Sequence, residues 1–423
     1  LFMKPSETEE LKPPATEVGI LGWMKHHLFN GAFSSISTIV VFLVAVKLVP
    51  PIIQWAFIDS VWFTSGKECY EVSGACWSVV TQNIRFNIFG YFPYAEHWRP
   101  LVAMLILFGM LYNSRDWQNW HRKLGYAWVI ALFTMAYLMK GGGLSYYIIS
   151  LLVLVCILTY DSEKQLWLKR AGLLCLIIAA VVLISMGILG TLAYFEFSGF
   201  YFDELSSVPT TKWSGLPLTL LLSFFGILAS YPLGVMLALG RQSKMPIIKS
   251  LCVVYIELIR GVPLITMLFM SSVMFPLFLP EGVTIDVVLR AQVAIILFTA
   301  AYIAEVVRGG LQAIDSGQYE AAESLGLPYY QKMRLIILPQ ALKIVIPPSV
   351  GILISAFKDT SLVVIIGLFD ILNTTKTILT EPEWTGFSTE AYIFIALIYY
   401  VCCLTMSQYS RRIEKELEYH ADV

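Results

Sequence analysis

The chain has 423 residues, 57% of them hydrophobic and only 14% charged, with a net charge of −1. A soluble protein of this length needs far more charge to cover its surface, so the composition excludes the ordinary soluble class and points to a bilayer. The near-neutral balance, without a basic patch interleaved with aromatics, gives no case for nucleic acid as a partner.

Residues 1–32 are polar, with Pro, Glu and Lys, and read as a solvated cytoplasmic tail before the first span; no signal peptide is evident in them. Apolar runs follow at 33–57, 99–114, 124–139, 144–160, 171–197, 214–239, 253–279, 287–307, 344–357 and 389–408. They predict an all-α integral membrane protein, a polytopic helical bundle of about ten transmembrane helices, with eight or nine on a stricter count. Residues 33–197 form an N-terminal membrane extension, 198–213 a polar exterior link, 214–410 a second membrane half and 411–423 a terminal tail. No internal repeat relates the two halves.

The exterior loop 58–98 holds two cysteines, Cys69 and Cys76. In an oxidising compartment they either bridge, pinning the loop, or stay as free thiols. His97 is the only histidine of that loop, so no metal site is expected. Cys156, Cys175, Cys252, Cys402 and Cys403 lie in or beside spans and read as small buried side chains.

In the second half, ionisable residues within spans are costly and so stand as functional candidates. Glu257 and Arg260 lie three apart on one helical face, and Glu305 and Arg308 repeat the spacing. Both pairs suit intrahelical or interhelical ion pairs, locking a cytoplasmic gate or anchoring the interface, with substrate contact as the other reading. Lys358 and Asp359 end one apolar run and precede Thr360 and Ser361, whose hydroxyls and N–H groups could open a second helix facing a substrate path; a structural ion pair between Lys358 and Asp359 is the other reading. The run 361–372 is then a half-helix or a continuation after a break. Gly261-Val262-Pro263 and Pro347-Pro348 interrupt spans, and irregular backbone at that depth must be buried or line a cavity.

Between two apolar stretches, residues 320–339 read EAAESLGLPYYQKMRLIILP. A short helix, EAAESLG, is expected to stop at Gly326 and Pro328. Small Ala321 and Ala322 permit close approach of another surface, and Glu320 and Glu323 are exposed handles. Charge placement assigns sides. Most of the 29 Lys and Arg residues, including Arg115, Arg122, Lys164, Arg241, Lys332 and Arg411, fall in segments on the side of the N-terminus, whereas Lys67, Arg85, Lys140, Lys212 and Lys376 face the other way. The positive-inside rule then puts both termini and the 320–339 loop in the cytoplasm, in a multi-pass bacterial inner-membrane protein.

The fixed positions of that loop, Glu320, Ala321, Ala322, Gly326, Ile336, Leu338 and Pro339, resemble the EAA loop of ABC importer permeases. The segments GLPLTLLLSFFGILASYPLGVMLALGR (215–241), VYIELIRGVPLITMLF (254–269), AYIAEVVRGGLQAIDSGQYEAAESLG (301–326) and KDTSLVVIIGLFDIL (358–372) extend the likeness along nearly the whole C-terminal half. They resemble the permeases of polar amino-acid ABC importers, whose type I core has five helices here. The N-terminal extension and the SGACW loop (73–77) are most similar to the longer permease of general or acidic/amide amino-acid importers. These permeases often carry Asn in the span before KDTSL, where this chain offers Gly351.

The resemblance implies a non-catalytic transport subunit. It would import polar amino acids such as glutamate, aspartate, glutamine and asparagine, or a broad range, and couple to an ATPase through the loop. It also implies a second homologous permease, an ABC ATPase dimer holding ATP and Mg, a periplasmic amino-acid-binding protein and the lipid bilayer as partners. No cofactor or metal is expected on this chain, which has no GxxxxGK[ST] phosphate loop. An enzyme built on His121 or Ser145 lacks a GxSxG or HExxH arrangement. A secondary transporter or channel without an ATPase is the alternative, and it predicts inverted repeats that the sequence does not display.

Overall fold

The computed structural model describes residues 19–115, 122–142, 205–280 and 283–419. The expected spans 144–160 and 171–197, the start of the 198–213 link, and His121, Ser145, Cys156 and Cys175 lie outside the described residues. Among the described residues the structure is helical, with isolated bridges and no strand. The chain divides into two compact units, Leu1–Thr81 and Gln82–Val423.

In the first unit, α1 (Gly19–His27) precedes α2 (Ala32–Ile53), and a π turn carries the latter on through Gln54–Ile58. Pro50 and Pro51 lie inside α2 just before that turn. Each proline removes a ladder donor and crowds a carbonyl one turn back, which a widened turn relieves. The loop beyond folds on itself: Val61 N donates to Ala75 O at 2.9 Å and Trp77 N to Val61 O at 2.8 Å. Trp62 stacks on Trp77, and a disulfide joins Cys69 to Cys76.

The second unit opens with α3 (Ile84–Phe89), α4 (Trp98–Asn113) and α5 (Arg122–Lys140). The last two pack as a pair, closed at one end by Trp128 Nε1 donating to Ser114 Oγ at 2.7 Å. At the other end the fully buried Arg99 donates through Nε to Leu138 O at 2.7 Å.

The centre of the unit is the contact of α6 (Gly215–Arg241) with α9 (Val287–Gln312). Hydrocarbon does not drive apolar helices together, so close van der Waals packing through small residues must. At Gly234 an added Cβ would come 2.6 Å from Ile303 Cγ2, and the facing Ala300, Ala301 and Ala304 are fully buried. Asp286 starts α9, its carboxylate accepting from Val288 N and Leu289 N.

Between these helices the expected single span 253–279 is broken. Helix α7 (Pro246–Arg260) and α8 (Leu264–Phe269, prolonged by irregular turns to Phe278) meet at an angle of 106°. The bend falls at Gly261-Val262-Pro263, because Pro263 has no N–H to continue the ladder and fixes extended backbone before α8. The expected short span 344–357 is, by contrast, part of a 38-residue helical run, Tyr329–Ile366. It comprises one turn (Tyr329–Lys332), a π turn (Met333–Ile337), then α11 (Leu338–Asp359, after α10, Ser316–Ser324) and a 3-10 end (Thr360–Ile366). The chain closes with α12 (Ile371–Ile378) and α13 (Ser388–Tyr419).

Five helical runs among the described residues are long and apolar enough to cross a membrane: Ala32–Ile58, Gly215–Arg241, Val287–Gln312, Tyr329–Ile366 and Ser388–Glu414. The bent pair makes a sixth if taken as one span, and α5 contains a shorter apolar helix.

Candidate functional site

Three helix ends bring five charges together. Arg241, the last residue of α6, donates through Nη1 to Glu305 Oε2 and pairs through Nη2 with Glu257 Oε1, both at 3.1 Å. Arg260 reaches the same Glu305 oxygen at 3.4 Å, and Arg308 Nε donates to Glu305 Oε1 at 3.0 Å. Glu305 is thus a hub for three guanidinium groups on α6, α7 and α9. Of the intrahelical and interhelical pairings open to Glu257 and Arg260, the structure takes the interhelical one, each pairing with another helix. Glu305 and Arg308 do pair as spaced. Arg241 was missed in the sequence, although its place as the last residue of a long apolar run at the same end was the available signal.

The Arg260 guanidinium lies 5.7 Å from the Tyr302 ring centroid, and Tyr302 also lines a cavity of about 390 Å³ that opens between α9 and α11. Phe298, Thr299 and Tyr302 line it from α9; Pro348, Gly351, Ser355 and Asp359 line it from α11. Its wall therefore offers hydroxyls and one carboxylate on a mostly apolar surface. A Cβ at Gly351 would have nothing within 4 Å, so this position widens the cavity where an asparagine would narrow it.

The Lys358-Asp359-Thr360-Ser361 cluster does not act as a unit. Asp359 is half-buried on the cavity wall, while Lys358 is exposed and absent from it, and among the described residues no ion pair joins them. Thr360 is buried and donates to Phe357 O at 2.8 Å; Ser361 contributes its carbonyl to Asn373 Nδ2 at 2.9 Å. The expected helix opening at Thr360 is also displaced. The helical run continues to Ile366, stops at left-handed Gly367 (φ 79°), and the next N-terminus is α12. Its first donors are taken by Asp370, whose carboxylate accepts from Asn373 N at 3.0 Å and Leu372 N at 3.2 Å.

Asp370 is fully buried and heads a polar knot. Its carboxylate also accepts from Tyr399 Oη at 3.0 Å, bringing in α13, and from Asn373 Nδ2. Thr219 Oγ1 of α6 accepts from Ile371 N at 3.1 Å, and Thr375 Oγ1 donates to Asn87 Oδ1 of α3 at 2.7 Å. None of these residues was singled out from the sequence.

The loop helix α10 begins four residues before the expected EAAESLG start, because Asp315 caps it, accepting from Gly317 N at 2.7 Å. It ends as expected before Gly326, whose φ of 70° disfavours any residue with a Cβ. Glu320 and Ala321 face outward, but Ala322 is buried against its own chain, so only one of the two alanines offers an open surface. Glu323 is not a free handle: Lys332 Nζ donates to it, and that bond holds its carboxyl below the usual range. Ile336 and Leu338 are half-buried and Pro339 is exposed, with the fully buried Ile337 between them as the anchor. Leu325, Tyr329, Tyr330 and Leu335 leave large apolar surface outside around α10.

Residues 230–419 match the family described as binding-protein-dependent transport system inner membrane component. The chain belongs to the permease subunits of amino-acid ABC importers. It is 40% identical to the inner membrane amino-acid ABC transporter permease protein YhdY of Escherichia coli K12, over 93% of this chain and 92% of that one. It is 38% identical to the glutamate/glutamine/aspartate/asparagine transport system permease protein BztC of Rhodobacter capsulatus, over 97% of both chains. The probable glutamine ABC transporter permease protein GlnP of Bacillus subtilis aligns at 33% identity over 48% of this chain but 91% of its own, so it lacks a counterpart of the N-terminal half. A solved structure titled crystal structure of an amino acid ABC transporter with histidines shares 34% identity over 48% of this chain and 92% of that chain, with a TM-score of 0.43.

Proposed function

We propose that this permease moves acidic amino acids and their amides through the α9–α11 cavity, and that α10 couples it to a separate ATPase. The observation that carries the reading is the cavity itself. It sits beside the helical run that begins next to α10, and Asp359 gives it a carboxylate for a substrate ammonium. Tyr302, Thr299 and Ser355 supply hydroxyls for the substrate's polar end. The identity with BztC over nearly the full length supports the substrate range.

Next to the cavity, the Arg241–Glu257–Arg260–Glu305–Arg308 cluster forms the gate that must open for release. ATP binding and hydrolysis with Mg take place on the partner ATPase dimer, and a periplasmic binding protein delivers the amino acid. A second homologous permease completes the membrane path. Both termini lie in the cytoplasm, on the side of α10. Glu320, Ala321, Tyr330 and Leu335 present the outward surface for the ATPase. Lys358, off the cavity wall, has no direct role in this reading.

The test is ATP-driven uptake of labelled glutamate and glutamine by the complex in proteoliposomes. Asp359→Asn is expected to cut uptake of both by about ten-fold or more, the effect of losing a charged hydrogen bond, with basal ATPase activity and assembly kept. Lys358→Met is expected to transport normally. Normal uptake by an assembled Asp359→Asn complex overturns the path assignment. Glu320→Lys or Gly326→Asp is expected to abolish uptake while membrane insertion is kept. A permease that purifies without any ATPase and still transports would favour the secondary-transporter alternative.

A further inference from the structure

A second cavity, of about 210 Å³, lies away from the α9–α11 path, in the seam where α4 and α5 meet α6. On α4 it runs from Pro100 to Leu107, on α5 from Met139 to Leu132, and on α6 from Pro217 to Phe225. Each stretch covers eight or nine residues, roughly 12–13 Å of helix rise. That is close to one leaflet's share of a hydrocarbon core about 30 Å thick. The lining is apolar throughout. Phe224, at the deeper end, is braced by a stack on Trp128 at 5.4 Å.

The shallow end differs in one respect. Trp213 lines it, is only 8% exposed, and its indole Nε1 is buried without a hydrogen-bond partner. A buried N–H left without an acceptor is costly, and tryptophan in membrane proteins concentrates where an apolar wall meets polar lipid groups. Pro100, Met139 and Pro217 lie within three residues of their helix ends, so Trp213 stands at the level of the helix termini. Lipid ester carbonyls occupy that level.

We infer that this seam is a binding site for one acyl chain of a membrane phospholipid, with the ester carbonyl accepting from Trp213 Nε1. Volume argues for a chain rather than a protein element. A cavity of about 150 Å³ with an apolar wall already takes up benzene, whereas a helix about 10–12 Å across needs far more room. The lipid then fills the seam between the α4–α5 pair and the permease core and satisfies the indole. The inference stands independently of the transport reading.

The assembled complex is placed in nanodiscs of phosphatidylethanolamine and phosphatidylglycerol containing a phospholipid with a diazirine midway along one acyl chain. After photolysis, peptides are mapped by mass spectrometry. The segments 100–107, 132–139 and 217–225 are expected to carry label several-fold above α2, which has no buried residue and serves as the bulk-lipid baseline. Ala136→Phe, at the exposed rim of the cavity, is expected to reduce that label to the baseline, and Leu132→Trp to do the same from the opposite end. Trp213→Phe is expected to lower it about three-fold, the loss of one hydrogen bond. Label no higher than on α2, or label unchanged by both filling variants in complexes that elute normally, overturns the inference. So does a photo-crosslinker at position 136 that captures residues 144–197 of the same chain instead of lipid.

Discussion

The five-charge cluster around Glu305 and the Asp370 knot solve the same problem in opposite ways. Each places carboxylate inside a membrane bundle, where an unpaired charge is expensive. In the cluster every charge is answered by another charge, and the side chains stay between 23% and 55% exposed. In the knot a single, fully buried carboxylate is answered by backbone N–H groups, an amide and a phenol. Partly hydrated ion pairs exchange partners at low cost and weaken with salt. A dry carboxylate held by fixed donors has no alternative arrangement. One region can rearrange at low cost; the other cannot.

The largest test of that contrast is Asp370→Leu. It strips the acceptor from Leu372 N, Asn373 N and Tyr399 at once and is expected to cost about 3–5 kcal/mol, as breaking a buried polar network does. Thermal unfolding followed by fluorescence-detected size exclusion should show loss of most assembled complex. If Asp370→Leu is as stable as Glu305→Gln, the contrast fails.

Glu305→Gln comes next. Assembly is expected to survive with about 1–2 kcal/mol lost, while three arginines then face one another, which the proposed gate reading translates into impaired transport. Uptake should fall, and wild-type but not variant stability should respond to added salt.

A smaller effect concerns the turn after α3, the helix that joins the knot through Asn87. His97 stacks on Phe89 at the end of α3, its Nε2 bonds Phe92 O, and its buried Nδ1 has no partner. Burial, and then the charge of Arg85, hold its pKa below the ordinary 6.5 against the Phe92 bond that raises it. Tyr94 and Arg99 face the same corner without an acceptor for Nδ1, and Glu96 is engaged by Arg99 and Ser206. Below 6.5 the unfolded chain binds the proton more readily than the folded one, so stability falls as pH drops through and below that value. His97→Gln should flatten the decline of melting temperature between neutral and acid pH. An equal decline in the variant removes His97 as its source.

The smallest effect is expected for Lys332→Met. Its buried ammonium pairs with an exposed Glu323 carboxylate that water can resolvate, and methionine keeps the packing of the buried stem, so uptake should change by less than about two-fold. A large loss would mean that the buried ammonium itself is needed for the loop's shape.

Much of this arrangement was legible because the bilayer allows few choices. Apolar length alone located α2, α6, α9 and α13, and Gly326 and Pro263 marked real stops in the chain. The gaps and errors came where a local rule met a tertiary partner. The spacing of Glu257 and Arg260 left open whether they pair within their own helix or across helices, and only their partners on α6 and α9 decide it. Lys358 and Asp359 are adjacent in sequence and so point apart on a helix, which a motif reading merges into one cluster. Ala321 and Ala322 diverge for the same reason. Asp370 was invisible because an aspartate beside a glycine-ended apolar run looks like a loop residue until its donors are in view.

The run Tyr329–Ile366 carries one more consequence. Pro347 and Pro348 lie near its midpoint, with roughly 27 Å of helix on either side at 1.5 Å per residue. Two missing ladder donors make this the softest point of an otherwise stiff rod. Pro348 is itself part of the α9–α11 cavity wall. A bend at this joint leaves each half straight and changes the width of the cavity directly, so the place where the run yields first is also the place where it encloses space.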